Sequence, residues 1–143
     1  MDPNTTNTPN KKILVIHGPN MNLLGLRKIK NCERITLDKL NRHLRKKAKG
    51  RGVTLIIFQT NDESWAVNQL HRQRKKIQGI LLFPGPWQQA GYVIKDTLEL
   101  LAIPYITVSM GEKADILKGE VNIEEIDIYK SAEKALTKLA EII

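Results

Sequence analysis

The stretch ILVIHGPNMNLLGLR, Ile13 to Arg27, carries a run of strand-forming apolar residues straight into a Gly-Pro-Asn turn, with an arginine a few residues beyond. A strand that stops at turn-forming residues hands the polar groups that follow it to the edge of a sheet, where a pocket can form. Working outward, Lys12–His17 reads as that strand. Val53–Phe58 is a second apolar run, too short for a typical helix and so expected as a strand buried on both faces. Gly79–Phe83 and Tyr105–Ser109 are two more strands.

The segments between them have helical spacing. Ile35–Gly50 places Leu37, Leu40, Leu44 and Ala48 on one stripe, with the Thr36 hydroxyl as N-cap and Gly50 and Gly52 as the stop. A helix from Asp62 to Lys76 turns Trp65, Val67 and Leu70 inward, and Gln88–Leu101 forms a third. After Gly111 the pattern allows a short edge strand within Lys113–Val121, and Ile126–Ile143 closes as an amphipathic helix through Ile128, Ala132, Ala135, Leu136 and Leu139. Strands alternating with helices through short connections make an α/β protein, a doubly wound parallel sheet in a flavodoxin-like three-layer sandwich. Its site belongs beyond the carboxyl ends of the strands, here His17–Asn20, Gln59–Asn61, Phe83–Gly85 and Ser109–Gly111.

The chain of 143 residues is of ordinary size for one domain, placed at 11–143 behind a flexible tail at 1–10 that is rich in Asn, Thr and Pro. No apolar run approaches the ~18 residues of a membrane span, and the N-terminus lacks a secretory pattern, so the expected location is the cytoplasm. The single cysteine, Cys32, leaves no internal disulfide. His17, His43 and His71 are not at metal-ligand spacing, and no Gly-rich phosphate loop is present, so neither metal nor cofactor is called for. The net charge of +8 is concentrated in Arg42–Arg51 and Arg72–Lys76. Such runs at helix ends are usually solvated, favoured there by the helix dipole; the functional alternative is an acidic partner or nucleic acid.

Gly18-Pro19-Asn20, Phe58-Gln59-Thr60-Asn61, Phe83-Pro84-Gly85-Pro86 and Ile103-Pro104-Tyr105-Ile106 together resemble the type II 3-dehydroquinate dehydratases, over about Lys11 to about Gly111. That resemblance implies removal of water from 3-dehydroquinate by an enolate route. In the family a tyrosine activated by an arginine is the base, an asparagine holds an enolate-stabilising water, and a histidine is the acid. Carried onto this chain, Asn20 and Arg27 match, while Cys32 stands in the tyrosine's place and Ser109 in the histidine's. The ligand contacts fall on Asn61, Glu63, Phe83, Gly85, Gln89, Asp96 and Met110; Phe83 replaces an asparagine, Gln89 a histidine, and the family's downstream arginine aligns with Ile116 or nearby. The resemblance also implies a homo-oligomer, a trimer that can pack into a dodecamer, with Trp87, Tyr92, Tyr105 and Met110 near its trimer contacts.

Each retained residue also has a plainer role, since the Gly-Pro-Asn turn suits any chain reversal and Arg27 can pair with Glu33 at the surface. A lost base or acid costs on the order of 10²–10⁴-fold in rate. Counting Cys32, Ser109, Phe83, Gln89 and Ile116 as losses around one pocket, the leading expectation is a protein that has lost dehydratase activity and serves as a binding or assembly protein. The alternative is an active dehydratase with altered catalytic residues. A weaker third is a polyanion-binding protein using the two basic runs.

Overall fold

In the computed structural model, which describes residues 10–27 and 34–143, five parallel strands form one sheet in the order β2-β1-β3-β4-β5. The strands are β1 (Lys11–His17), β2 (Val53–Gln59), β3 (Gly79–Phe83), β4 (Tyr105–Val108) and β5 (Val121–Ile123). The helices are α1 (Leu37–Lys49), α2 (Glu63–Gln73), α3 (Trp87–Ala90), α4 (Tyr92–Leu101) and α5 (Ile128–Ile142), with a 3-10 turn at Met21–Leu26. This is the doubly wound, flavodoxin-like α/β fold read from the alternation of patterns. The strand order reverses between β1 and β3, which opens a crevice at their carboxyl ends.

Strands β1 to β4 feed two cores because alternate side chains point to opposite faces, while β5 adds Val121 and Ile123 to the first core alone. Ile13, Val15, Leu81 and Ile106 pack under α1 and α5, whereas Leu14, Ile16, Ile80 and Leu82 pack under α2 and α4. The caps follow the sequence: Thr36 accepts from Lys39 N–H, Asp62 from Ser64 N–H and Asp127 from Lys130 N–H, each satisfying a backbone donor that the first helical turn leaves open.

Several boundaries differ from the sequence reading. β2 is an edge strand with a neighbour on one side alone, so after Val53 its Thr54 is exposed and Leu55–Gln59 are only half-buried. The 88–101 helix is broken at Gly91, where a Cβ would stand 2.8 Å from the Trp87 carbonyl oxygen; the chain turns there into α3 and α4. The edge strand expected in Lys113–Val121 lies further on, at Val121–Ile123, beside β4. α2 ends at Gln73, short of Lys76. Trp65 is not inward: it is 39% exposed and meets the ring of Phe58 edge-on. Among the described residues no helix is long and apolar enough to cross a membrane.

Candidate functional site

The turn after β1 is built by its neighbours. The Gly18 N–H donates to the Phe83 carbonyl at 2.9 Å, and a Cβ on residue 18 would meet the carbonyl oxygens of Phe83 and Pro84 at 2.9 Å each, so only glycine fits. Asn20 adopts the left-handed conformation at φ 68°, and its N–H donates to Asn61 Oδ1 at 2.9 Å. Gln59 Nε2 donates to the Gly18 carbonyl at 3.2 Å and to Asn61 Oδ1 at 3.3 Å. The Asn61 carbonyl oxygen therefore fixes the turn, and the Asn20 side chain stands exposed at its tip.

Beyond the ends of β3 and β4 lie two cavities of about 740 and 350 Å³ that share Arg27 and Met110 in their walls. Ser109, Gly111, Glu124, Asp127 and Ser131 line the larger, and Gly85, Pro86, Gln88, Gln89 and Glu112 the smaller. Gly85 has φ 53°, and a Cβ built on it would stand 3.7 Å from the Pro19 carbonyl oxygen, so the Gly-Pro-Asn turn adjoins the Gly85 wall of the smaller cavity without lining either one. Of the expected site residues, the fold thus brings Arg27, Gly85, Gln89, Ser109 and Met110 together, with Asn20 and Asn61 on the adjoining turn.

Others are placed elsewhere. Phe83 is 1% exposed and packs beneath the turn against His17, their ring centroids 4.6 Å apart, because every side chain of β3 is buried. Glu63 Oε2 accepts the Ile94 N–H at 3.1 Å, supplying a cap that Gly91 cannot give to α4. Asp96 is exposed on α4 and lines neither cavity. Ile116 packs against the second core. Cys32 and Glu33 lie outside the described residues, as do residues 1–9 of the expected tail.

Charge in the crevice is mostly negative. Arg27 is the one cation lining it among the described residues, against Glu112, Glu124, Glu125 and Asp127. Two acids occupy successive backbone donors: Glu112 Oε2 accepts the Met110 N–H at 3.0 Å, and Glu124 Oε2 accepts the Gly111 N–H at 2.6 Å. Ser109 is buried, and its hydroxyl donates to Asn122 Oδ1 at 3.0 Å, an oxygen that also accepts from Thr107 at 2.6 Å.

Two positioning residues escaped the sequence reading. The buried Gln88 carboxamide donates to the Leu117 carbonyl at 2.7 Å and accepts from the N–H groups of Asp115 and Leu117 at 2.9 Å, tying the segment after the crevice to α3. His17, fully buried at the end of β1, bonds through Nε2 to Asn41 Oδ1 at 2.7 Å, while Nδ1 has no partner among the described residues. Burial pushes its pKa from 6.5 down to about 4, against the opposing pull of the Asn41 bond, so the ring is neutral at pH 7. A glutamine after a Pro-Gly-Pro turn and a histidine closing a buried strand are the only sequence cues to either.

Residues 11–118 match the family model described as Dehydroquinase class II. Over 98 residues the chain is 39% identical to a 3-dehydroquinate dehydratase of Trichodesmium erythraeum, covering 68% of this chain and 65% of that one. It is 38% identical over 99 residues to that of Roseiflexus castenholzii (69% and 63%), and 35% identical over 98 residues to that of Bacillus cereus (68% and 67%). The matched stretch thus spans about two thirds of these relatives' length. In structure the fold is similar to the type II dehydroquinase of Propionibacterium acnes (TM-score 0.81, 25% identity, 92% of this chain and 97% of that one) and of Butyrivibrio crossotus (0.79, 22%, 91% and 97%).

These relatives correct the expectation of a protein that has lost dehydratase activity, since proteins named for that activity match more than two thirds of the chain. The expectation rested on a count of lost contacts, and the geometry shortens the count. Phe83 and Ile116 face cores and line neither cavity, so their substitution removes nothing from the crevice wall.

Proposed function

We propose, since this chain belongs to the class II dehydroquinase family, that it binds 3-dehydroquinate in the crevice beyond β3 and β4 and removes water from it. The observation that carries this reading is the convergence of Arg27, Gly85, Gln89, Ser109 and Met110 on that crevice, with the Gly-Pro-Asn turn beside its Gly85 wall.

Taking a proton from the carbon beside a ketone needs a base within reach and positive charge or hydrogen-bond donors at the enolate oxygen. Arg27 brings the positive charge. The Asn20 carboxamide, exposed on that turn, is suited to hold a water on the enolate oxygen. Cys32, at the family's tyrosine position, is the base in this reading, the thiolate being the form that can accept a proton; Arg27, Lys28, Lys30 and Arg34 flank it in sequence. The proton passes from carbon to sulfur. As the enolate collapses, the bond to the departing hydroxyl breaks; that hydroxyl takes a proton from solvent to leave as water, and the Cys32 thiol returns its proton to solvent, which restores the thiolate. Ser109 occupies the family's acid position, but its proton is committed to Asn122 and must exchange partners to reach a leaving group.

We also read the chain as a homo-oligomer, a trimer first. Of the four side chains expected near the trimer contacts, Trp87 is buried within the chain and Tyr105 and Met110 are half-buried, so Tyr92, with the exposed Val93 and Leu100 of the same helix α4, offers the exposed apolar surface for contact. The two basic runs take no part in the chemistry and are left for a partner of opposite charge.

Calorimetric titration of 3-dehydroquinate into the folded protein tests the binding step. Saturable binding weakened at least tenfold by Arg27→Ala is expected. No heat at millimolar ligand, from protein whose circular dichroism is native, would remove the reading.

A further inference from the structure

We propose that the amino-terminal edge of the sheet, opposite the crevice, binds the phosphate backbone of a nucleic-acid duplex through cations that the fold gathers from separate segments. α1 leads into β2 and α2 into β3, and both strands flank β1. The register sets Lys11 opposite Val53 and Ile13 opposite Gly79, so all three strands begin at one edge. Lys46, Lys49 and Arg51 arrive there from one face of the sheet, and Arg74, Lys75 and Lys76 from the other; all six are exposed.

Solvated helix ends do not account for the whole set. A helix dipole favours cations within the last turn. Lys46 and Lys49 satisfy that, but Arg51 lies past the Gly50 cap, Arg74 is itself a cap residue, and Lys75 and Lys76 follow it in the turn. Ion pairing does not account for them either: among the described residues the four salt bridges are His43 and Lys47 with Glu133, Lys95 with Glu99 and Lys134 with Glu125. Of the carboxylates at this end, Glu99 in the last turn of α4 is paired with Lys95, while Glu141 lies in the last turn of α5 and Glu120 just ahead of β5, two strands beyond β3; at the same edge the Ile143 main-chain oxygen accepts from Lys11 Nζ.

A duplex fits this surface better than an acidic protein or a single strand. The two clusters sit on opposite helix layers, roughly 20 Å apart, and phosphates recurring about every 3.4 Å per strand meet such spaced charges without a defined register. A protein partner would need an apolar anchor, and a single strand an aromatic platform. No Phe, Tyr or Trp occurs in 42–51 or 72–76, and the His43 ring packs against Tyr129, their centroids 4.8 Å apart. The neutral polar groups at the edge are engaged with one another or with backbone: Gln78 Oε1 accepts the Lys12 N–H at 2.7 Å and Asn10 Nδ2 donates to Thr54 Oγ1 at 2.6 Å, while Arg74 donates to the His71 carbonyl at 2.6 Å and keeps its charge exposed, which leaves charge as the mode of contact.

Fluorescence anisotropy with a labelled 20-base-pair DNA duplex, from 50 to 300 mM salt, tests the inference independently of dehydratase activity. With about five phosphates neutralised, affinity should fall by two to three orders of magnitude between 50 and 200 mM. The variant Lys49→Ala/Arg51→Ala/Arg74→Ala/Lys75→Ala, at exposed positions remote from the crevice, should flatten the log-log salt slope by about three to four while keeping its native circular dichroism. Absence of binding at 50 mM salt, an unchanged slope in the variant, or equally tight binding of polyglutamate or single-stranded DNA would each overturn it.

Discussion

Asn61 Oδ1 accepts the backbone N–H of Asn20 at 2.9 Å, so the loop after β2 holds the turn after β1 in its left-handed conformation. Replacing Asn61 with alanine leaves that donor to solvent and should lower stability by about 1 kcal/mol, visible as a lower Tm and faster amide exchange at Asn20. Asn20→Gly separates shape from chemistry. Glycine adopts φ 68° without strain, so stability should be unchanged or slightly higher while turnover falls.

His17 predicts an acid limb in the stability curve. Its folded pKa of about 4 lies below the ordinary 6.5, so between those values the unfolded chain binds the extra proton. The stability of the neutral buried ring is complete above pH 6.5, declines as pH falls, and is lost by about pH 4, a change of roughly 3 kcal/mol. Urea midpoints from pH 7 to pH 4 should show it, and His17→Phe should flatten this part of the profile.

Gln88 is a single side chain serving one carbonyl and two N–H groups in a buried place. Gln88→Leu strands all three and should destabilise by about 2–4 kcal/mol in chemical denaturation. An unchanged midpoint would mean that the 115–117 segment is held by something else.

The fold was legible because its signals are local: apolar runs at Ile13–Ile16 and Gly79–Phe83, helical stripes such as Leu40, Leu44 and Ala48, and caps at Thr36 and Asp127. The site was half legible. The turn residues and Arg27 announce themselves by type and spacing, but bonds such as Gln88 to Leu117 or Gly111 to Glu124 join residues 29 and 13 positions apart and leave no periodic trace. Phe83 was misread because a strand buried along its whole length hides which end faces a pocket. The same ambiguity hides function, since a substituted position such as Phe83 or Ile116 does not show in sequence whether it lines the crevice or a core.

The carboxylates of Glu112 and Glu124 hold the N–H groups of Met110 and Gly111 and add negative charge where an anionic substrate is proposed to bind. Glu124→Gln removes charge but keeps an acceptor, and should lower KM for 3-dehydroquinate by about two- to fivefold at low salt, with the effect fading at 0.5 M. Glu124→Ala also frees the Gly111 donor and should lower KM further.

The most direct measurement is turnover itself: purified protein with 3-dehydroquinate at neutral pH, followed by the absorbance of the conjugated enone product. Absorbance should rise in proportion to protein concentration, a rise abolished by Cys32→Ala and cut at least a hundredfold by Arg27→Ala, with both variants folded. A rate equal to buffer alone from natively folded protein would contradict it.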